Sequence, residues 1–259
     1  MVALLSALSG LKTLYLIFQS PRSCPDWEIQ SLPLPERSVF PSLDIFHFKG
    51  VTRYLEELVT NIDTPQLDQI FFNQIDFDCP RLAQFINFTP KLRALDEAHM
   101  QIHDEIPNVT VRLRYRSSKS YSDSLRIRIL CTELYSQLSS IRQVCNSSFL
   151  PLPTVEDLYI DRRYPQLVWR DSATENTLLL QLLLPFTAVK NLYVCKELEP
   201  CIAAALKELV GSGITDVFPG LLNIFIGEFK PSGLFQKAVG QFVAARQDLG
   251  RPVAISTWW

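Results

Sequence analysis

The 259-residue sequence lacks the short motifs that carry most enzyme chemistry. It holds no GxSxG elbow, no GxGxxG or GxxxxGK[ST] phosphate loop and no HExxH zinc helix, so no catalytic residue and no cofactor is expected. Its three histidines form no Cys/His cluster, which argues against a dedicated metal site. His99 and His103 are four apart, a spacing that suits ligands on a helix, but "AHMQIHDE" alternates as a strand does and reads as carrying two surface histidines. Charge of one sign is missing as well. With 25 Lys+Arg against 27 Asp+Glu the formal charge is -2, which gives no overall steering toward nucleic acid or an anionic membrane. The six cysteines (Cys24, Cys79, Cys131, Cys145, Cys195, Cys201) include no CxxC pair and read as reduced, partly buried thiols.

Long hydrophobic runs are absent too. "TLLLQLLLPF" is too short to cross about 30 Å of hydrocarbon and contains Gln181 and Pro185. "MVALLSALSGLKTLYLIF" has no basic start, is interrupted by Lys12 and leads to no small-residue cleavage site, so neither a signal peptide nor a membrane segment is expected. The N-x-[ST] triplets at Asn87, Asn108 and Asn146 are too short a pattern to place the chain in the secretory route, and a cytoplasmic or nuclear location is expected.

What the sequence has, instead, is one phrase written many times. Written as x-P-x-L-x-x-L-x-L, with any apolar residue at the L positions, it fits at Leu11/Leu14/Leu16, Leu43/Phe46/Phe48, Leu67/Ile70/Phe72, Val155/Leu158/Ile160, Val189/Leu192/Val194 and Leu221/Ile224/Ile226. A weaker copy sits at Leu92/Leu95, where Glu97 takes the third apolar place, and "SLRIRILC" supplies a strand in the long interval that follows. First apolar positions are 32, 24, 25, 63, 34 and 32 residues apart. Between the copies lie segments of helical spacing: 54–62, 79–88, 132–148, 174–184, 202–210 and 234–250, several with cap signals such as Gly250 after Leu249.

A period of this size with an LxxLxL core predicts an α/β leucine-rich-repeat solenoid of about seven to nine repeats, a curved parallel sheet on the concave side and helices on the convex side. One domain is expected over 1–259, with a long loop at 20–38 inside the first repeat, a repeat strand over Val39 to Phe48, and an irregular repeat with a basic hairpin at 98–124.

Strand alternation picks out the residues between the two inward-facing ones: Tyr15, His47, Phe71, Asp96, Tyr159, Tyr193 and Phe225, with Arg126 or Arg128 in the irregular copy. Such a stripe is either a partner-binding surface or a set of aromatics stacked across strands for their own sake. "VRLRYRSSKSYSDSLRIRI" carries Arg112, Arg114, Arg116, Lys119, Arg126 and Arg128; as a hairpin, it puts the arginines on one side. They suit an anionic peptide, a phosphate or a nucleic-acid backbone, or else form a solvated face balanced by Asp104, Glu105 and Asp123. A third candidate is the loop "DRRYPQLVWRDS", with Arg162, Arg163 and Trp169, either as a binding insertion or with Trp169 packed beneath the next helix.

The phrases "GVTRYLEELVTNIDTPQLDQIFF", "FDCPRLAQFINFTPKLRALDEA", "LPTVEDLYI", "ENTLLLQLLLPFTAVKNLYVCKELEPCIAAALKELV" and "PSGLFQKAVGQFVAARQ" resemble the leucine-rich-repeat regions of fungal, chiefly basidiomycete, F-box-like proteins. The resemblance implies a substrate receptor of a ubiquitin ligase, in which an N-terminal F-box docks on a Skp-type adaptor and the repeats select a target. Here the first repeat already begins at Leu11, and "LPLPER" runs directly into Val39 to Phe48, so the chain reads as the repeat part without the F-box, and a Skp-type adaptor is expected only with an F-box upstream. The expected function is a non-catalytic protein-interaction scaffold with an unidentified protein target. The alternative is an anion or nucleic-acid-binding repeat protein acting through Arg112–Arg128, although nucleic acid is not the expected partner.

Overall fold

The computed structural model describes residues 10–18, 37–73, 80–92, 95–103, 108–115, 124–130, 134–146, 150–163, 173–212, 217–227 and 233–258. Each proline-bearing phrase folds as a tight turn that launches a strand. The N–H of the apolar residue two places past the proline donates to the carbonyl three residues back: Leu43 to Phe40 (3.2 Å), Leu67 to Thr64 (3.1 Å), Leu92 to Thr89 (3.0 Å), Val155 to Leu152 (3.1 Å) and Leu221 to Phe218 (3.1 Å), although behind Pro90 the first inward strand position is Leu95, not Leu92. The proline is therefore the second residue of each turn, where its fixed φ fits and its missing N–H is not needed.

Twelve strands are described: β1 (Thr13–Ile17), β2 (Ser38–Val39), β3 (Ile45–Lys49), β4 (Ile62–Asp63), β5 (Gln69–Asn73), β6 (Glu97–His103), β7 (Asn108–Arg114), β8 (Leu125–Leu130), β9 (Asp157–Arg163), β10 (Asn191–Val194), β11 (Asn223–Gly227) and β12 (Ala254–Trp258). Six α-helices are described: α1 (Thr52–Asn61), α2 (Pro80–Phe88), α3 (Leu134–Asn146), α4 (Ala173–Leu183), α5 (Glu199–Ser212) and α6 (Gly233–Asp248). They fall on the six segments of helical spacing. The strand expected over Val39 to Phe48 is shorter than read, because the Pro41 turn occupies its first half and β3 starts only at Ile45.

Ten strands form one open sheet in the order β1-β3-β5-β8-β7-β6-β9-β10-β11-β12, while β2 and β4 pair separately. The sheet is mostly parallel, not wholly so as expected: β7 runs antiparallel to both β6 and β8. After β5 the chain passes over two places to β6, turns back into β7, and returns in β8 to the side of β5. The physical reason is connection length. Only residues 104–107 separate β6 from β7, enough for a hairpin and far too few for the crossover that parallel pairing requires.

Where units follow one another regularly, a single carbonyl joins them by accepting two consecutive N–H groups of the next unit. Lys12 O accepts from Asp44 and Ile45, Asp44 O from Asp68 and Gln69, Asp96 O from Glu156 and Asp157, Glu156 O from Lys190 and Asn191, and Lys190 O from Leu222 and Asn223. The series breaks beside β5, where Ser124 O accepts from Ile70 instead.

Inward-facing strand residues and the apolar faces of the helices make one buried cluster, in which Phe46, Ile70, Leu113, Leu158, Leu192 and Ile224 sit in register across the sheet. The helices pack side by side in the pairs α1/α2, α3/α4, α4/α5 and α5/α6. A glutamate ties the first pair, since the Glu56 carboxylate of α1 accepts the N–H groups of Arg81 (3.1 Å) and Leu82 (2.8 Å) at the start of α2. At the end of α6, Gly250 takes φ 70 and the N–H of Arg251 donates to Arg246 O (2.9 Å), a glycine C-cap where the sequence signalled one. Cys145 and Cys195 carry buried thiols outside any disulfide, and burial pushes the Cys145 thiol pKa up. No described helix is long and apolar enough to cross a membrane.

Candidate interaction face

The six described helices bury against one side of the sheet, and among the described residues the other side carries strand side chains and no helix. Along its middle runs one row of residues, in register from strand to strand: Tyr15, His47, Phe71, Arg126, Arg112, His99, Tyr159, Tyr193, Phe225 and Ser256. All five aromatic candidates of the stripe and His47 therefore do share a line. Asp96 does not, and this corrects the sequence reading: it precedes β6, and His99 holds the position. His99 is likewise no plain surface histidine, since its ring lies 4.2 Å from that of Tyr159 at an interplanar angle of 4°.

Two stacks result. Tyr15 lies 4.1 Å from His47, and His47 lies 4.1 Å from Phe71, with angles of 17° and 10°. On the other side His99, Tyr159, Tyr193 and Phe225 follow at 4.2, 4.1 and 4.5 Å. Because the planes stand nearly parallel along the row, ring faces are used up on one another and ring edges point away from the sheet. Between the stacks stand the two arginines; the Arg126 guanidinium lies over the Phe71 ring, 5.6 Å from its centroid.

Polar chains flank the second stack. Toward the strand starts, Arg114 Nε donates to Glu97 Oε1 (2.5 Å), which also meets His99 Nε2. On the neighbouring strands, Asn191 Nδ2 donates to the buried Asp157 Oδ1 (2.6 Å) and Asn223 Nδ2 to Asn191 Oδ1 (2.8 Å). Toward the strand ends, Arg112 Nη2 donates to Gln101 Oε1 (2.5 Å) and Gln101 Nε2 to Asp161 Oδ2 (3.4 Å). Burial alone pushes the Glu97 pKa up, but the hydrogen bonds and charges of His99 and Arg114 outweigh it and hold the carboxyl below its usual range. Burial, with Glu97 next in weight, pushes the Tyr159 phenol up.

The last strand adds a residue the sequence reading missed. Trp258 follows Gly227 in register and crosses over it: its Nε1 donates to Val194 O (3.3 Å), and its ring meets Tyr193 and Tyr159 nearly edge-on, at 5.6 and 5.8 Å. The β-branched and aromatic run "AISTWW" was the available signal.

Of the basic candidates, Arg112, Arg114, Arg126 and Arg128 lie on this face, as the hairpin reading required, and Arg128 is exposed. Arg116 and Trp169 lie outside the described residues; Arg162 and Arg163 end β9, and their side chains also lie outside them. Among the described residues no group of three His, Cys, Asp or Glu could hold a metal ion. The chain matches no family model, no curated protein and no solved structure.

Proposed function

We propose that the protein is a leucine-rich-repeat interaction scaffold that recognises a protein target through the helix-free face of its sheet. The observation that supports this most directly is the in-register row from Tyr15 to Phe225, which presents rings and guanidinium groups at one level across nine strands. Its role is that of a target-recognition module, in keeping with the resemblance to the repeat regions of F-box-like receptors. A bare scaffold leaves its ligand open, so the site and not the fold has to carry the claim.

The experiment is a comparative affinity capture with the full chain, a Tyr15→Ala/Phe225→Ala variant that alters both stacks, and a helix-side control, Glu208→Lys, all checked for a native circular-dichroism melt. Proteins retained by the wild type and the control but lost from the face variant support the reading. Identical capture profiles for all three overturn it. Direct titration of the full chain with a purified Skp-type adaptor tests the ligase role separately, and an absence of binding removes that role while leaving the scaffold.

A further inference from the structure

We infer that the section of the helix-free face from β1 to β7 docks an acidic peptide segment, laid across the strands with its carboxylates on Lys49, Arg126, Arg128 and Arg112. This rests on the interaction-scaffold reading and names the chemistry of the partner. Charge is unevenly divided over the face. On β3, β5 and β8 the outward positions hold three full cations, Lys49, Arg126 and Arg128, with the His47 imidazole and no carboxylate, and Arg112 stands in register beside Arg126. The carboxylates within the described strands of this face lie in the other section and are engaged there: Glu97 with Arg114 and His99, Asp157 with Asn191, Asp161 with Gln101. In the first section Asp44 and Asp68 stand just before β3 and β5, at the strand starts and away from Lys49 and Arg128 at the strand ends, and Asp68 lies 3.8 Å from Lys91.

The rings add to the same field. Tyr15, His47 and Phe71 stand on edge, and the edge of an aromatic ring is its electropositive part, so the stack favours an oxygen anion above it and disfavours a cation. His47 reports this environment: burial first, and the Arg126 charge second, hold its pKa below the ordinary value. Lys49 and Arg128 occupy the same level two strands apart, roughly 10 Å along the sheet, a gap that their long, exposed side chains close around one or two carboxylates. At the end of the section, Tyr15 and Ile17 are 60% and 65% exposed and offer an apolar seat for a neighbouring side chain of the same segment.

A peptide fits this site better than a nucleic acid does. Tight duplex binding draws on about six to ten phosphate contacts, whereas this section offers four cations within about three strand spacings, roughly 14 Å, on a chain whose net charge is -2.

The test is fluorescence anisotropy on the purified full chain with three labelled probes: a peptide alternating Glu and Leu, its Gln isostere, and a single-stranded oligonucleotide, at about 50 and about 200 mM salt. The acidic peptide should bind, the Gln isostere should not, and Lys49→Glu/Arg128→Glu should weaken binding by about tenfold or more. Lys207→Glu/Lys237→Glu, the same charge change on exposed helix positions, should leave it within about twofold. Lys49→Ala/Arg128→Ala provides the same comparison without introduced acids should the reversal variant fail to fold. No binding of the acidic peptide, or an equal loss in the helix-side control, overturns the inference, and oligonucleotide binding as tight as peptide binding replaces the peptide with a phosphate backbone. If the peptide fails while face-dependent capture of a partner persists, only the acidic chemistry falls; if both fail, the interaction-face reading goes with it.

Discussion

The two stacks on the helix-free face occupy the same level of the same sheet and differ in what surrounds them. Tyr15, His47 and Phe71 end on Arg126 and have cations as neighbours. His99, Tyr159, Tyr193 and Phe225 are bordered by Glu97, Asp157 and Asp161 with their partners, and Trp258 covers their middle edge-on. Identical backbone register thus supports, among the described residues, one section lined by cations and another whose charged groups pair within it. The boundary between them is the place where the chain reverses through β7, so topology and electrostatics divide the face at the same strands.

The largest effect tests whether the sections share one core. Phe46→Ala beneath the first and Ile224→Ala beneath the second should each cost about 2–5 kcal/mol in urea unfolding, in a single transition; two separated transitions would mean that the sections fold apart. Next, Arg114→Met leaves the nearly buried Glu97 carboxylate with one donor fewer and should cost about 2 kcal/mol at neutral pH. Because the Glu97 pKa is lowered in the folded state, its stabilisation is present above the ordinary value of 4.5 and is lost as pH falls through the lowered one. The gap between wild type and Arg114→Met should therefore shrink in acid, and a gap that stays constant below pH 4.5 would remove Glu97 from the account.

Trp258→Ala should cost about 1 kcal/mol, since each edge-on contact with Tyr159 and Tyr193 is worth about that much or less when partly exposed; a thermal melt unchanged from wild type would mean that the indole does not cover the stack. The first section should respond to acid earlier. His47 also has a lowered pKa, so its contribution is complete above the ordinary 6.5 and declines as pH falls through the lowered value, a decline that His47→Phe abolishes and that melts between pH 7 and 5 detect. The smallest effect is Gly227→Ala. The added Cβ would lie 3.5 Å from Cys195 Cα and 3.6 Å from Trp258 Nε1, ordinary contact distances, so a change under about 0.5 kcal/mol is expected in the same melt.

Much of this was legible in the sequence because alternation fixes which side of a sheet a residue faces. The spacing of Leu43, Leu67, Val155, Val189 and Leu221 located the turns, and the residue between the two inward positions gave the row at Tyr15, His47, Phe71, Tyr159, Tyr193 and Phe225. The error at Asp96 was one of phase. Leu92 and Leu95 behind Pro90 looked like the first two apolar positions, but Leu95 is the first, followed by the small Ala98 and by Met100. The paired hydrogen bonds accepted by Asp96 O, matching those of Asp44 and Glu156, fix that phase, and no residue pattern reports them. Alternation also says nothing about which strand lies next door, which is why the placing of β8 beside β5 was not foreseen although the β7–β8 hairpin was. β12 escaped because Pro252 directly precedes Val253, whereas one residue separates proline from the first apolar position in the other phrases.

That return has a kinetic consequence. In a simple array each strand finds its neighbour soon after it leaves the ribosome, but β5 has to wait for β8, which follows it by more than fifty residues. Until then β5 is an uncovered edge able to pair with the wrong partner, and closing the gap requires distant segments to meet before either is rewarded. Refolding is accordingly expected to stall at this seam, with the β9 to β12 end assembling while the two ends of the sheet remain unjoined.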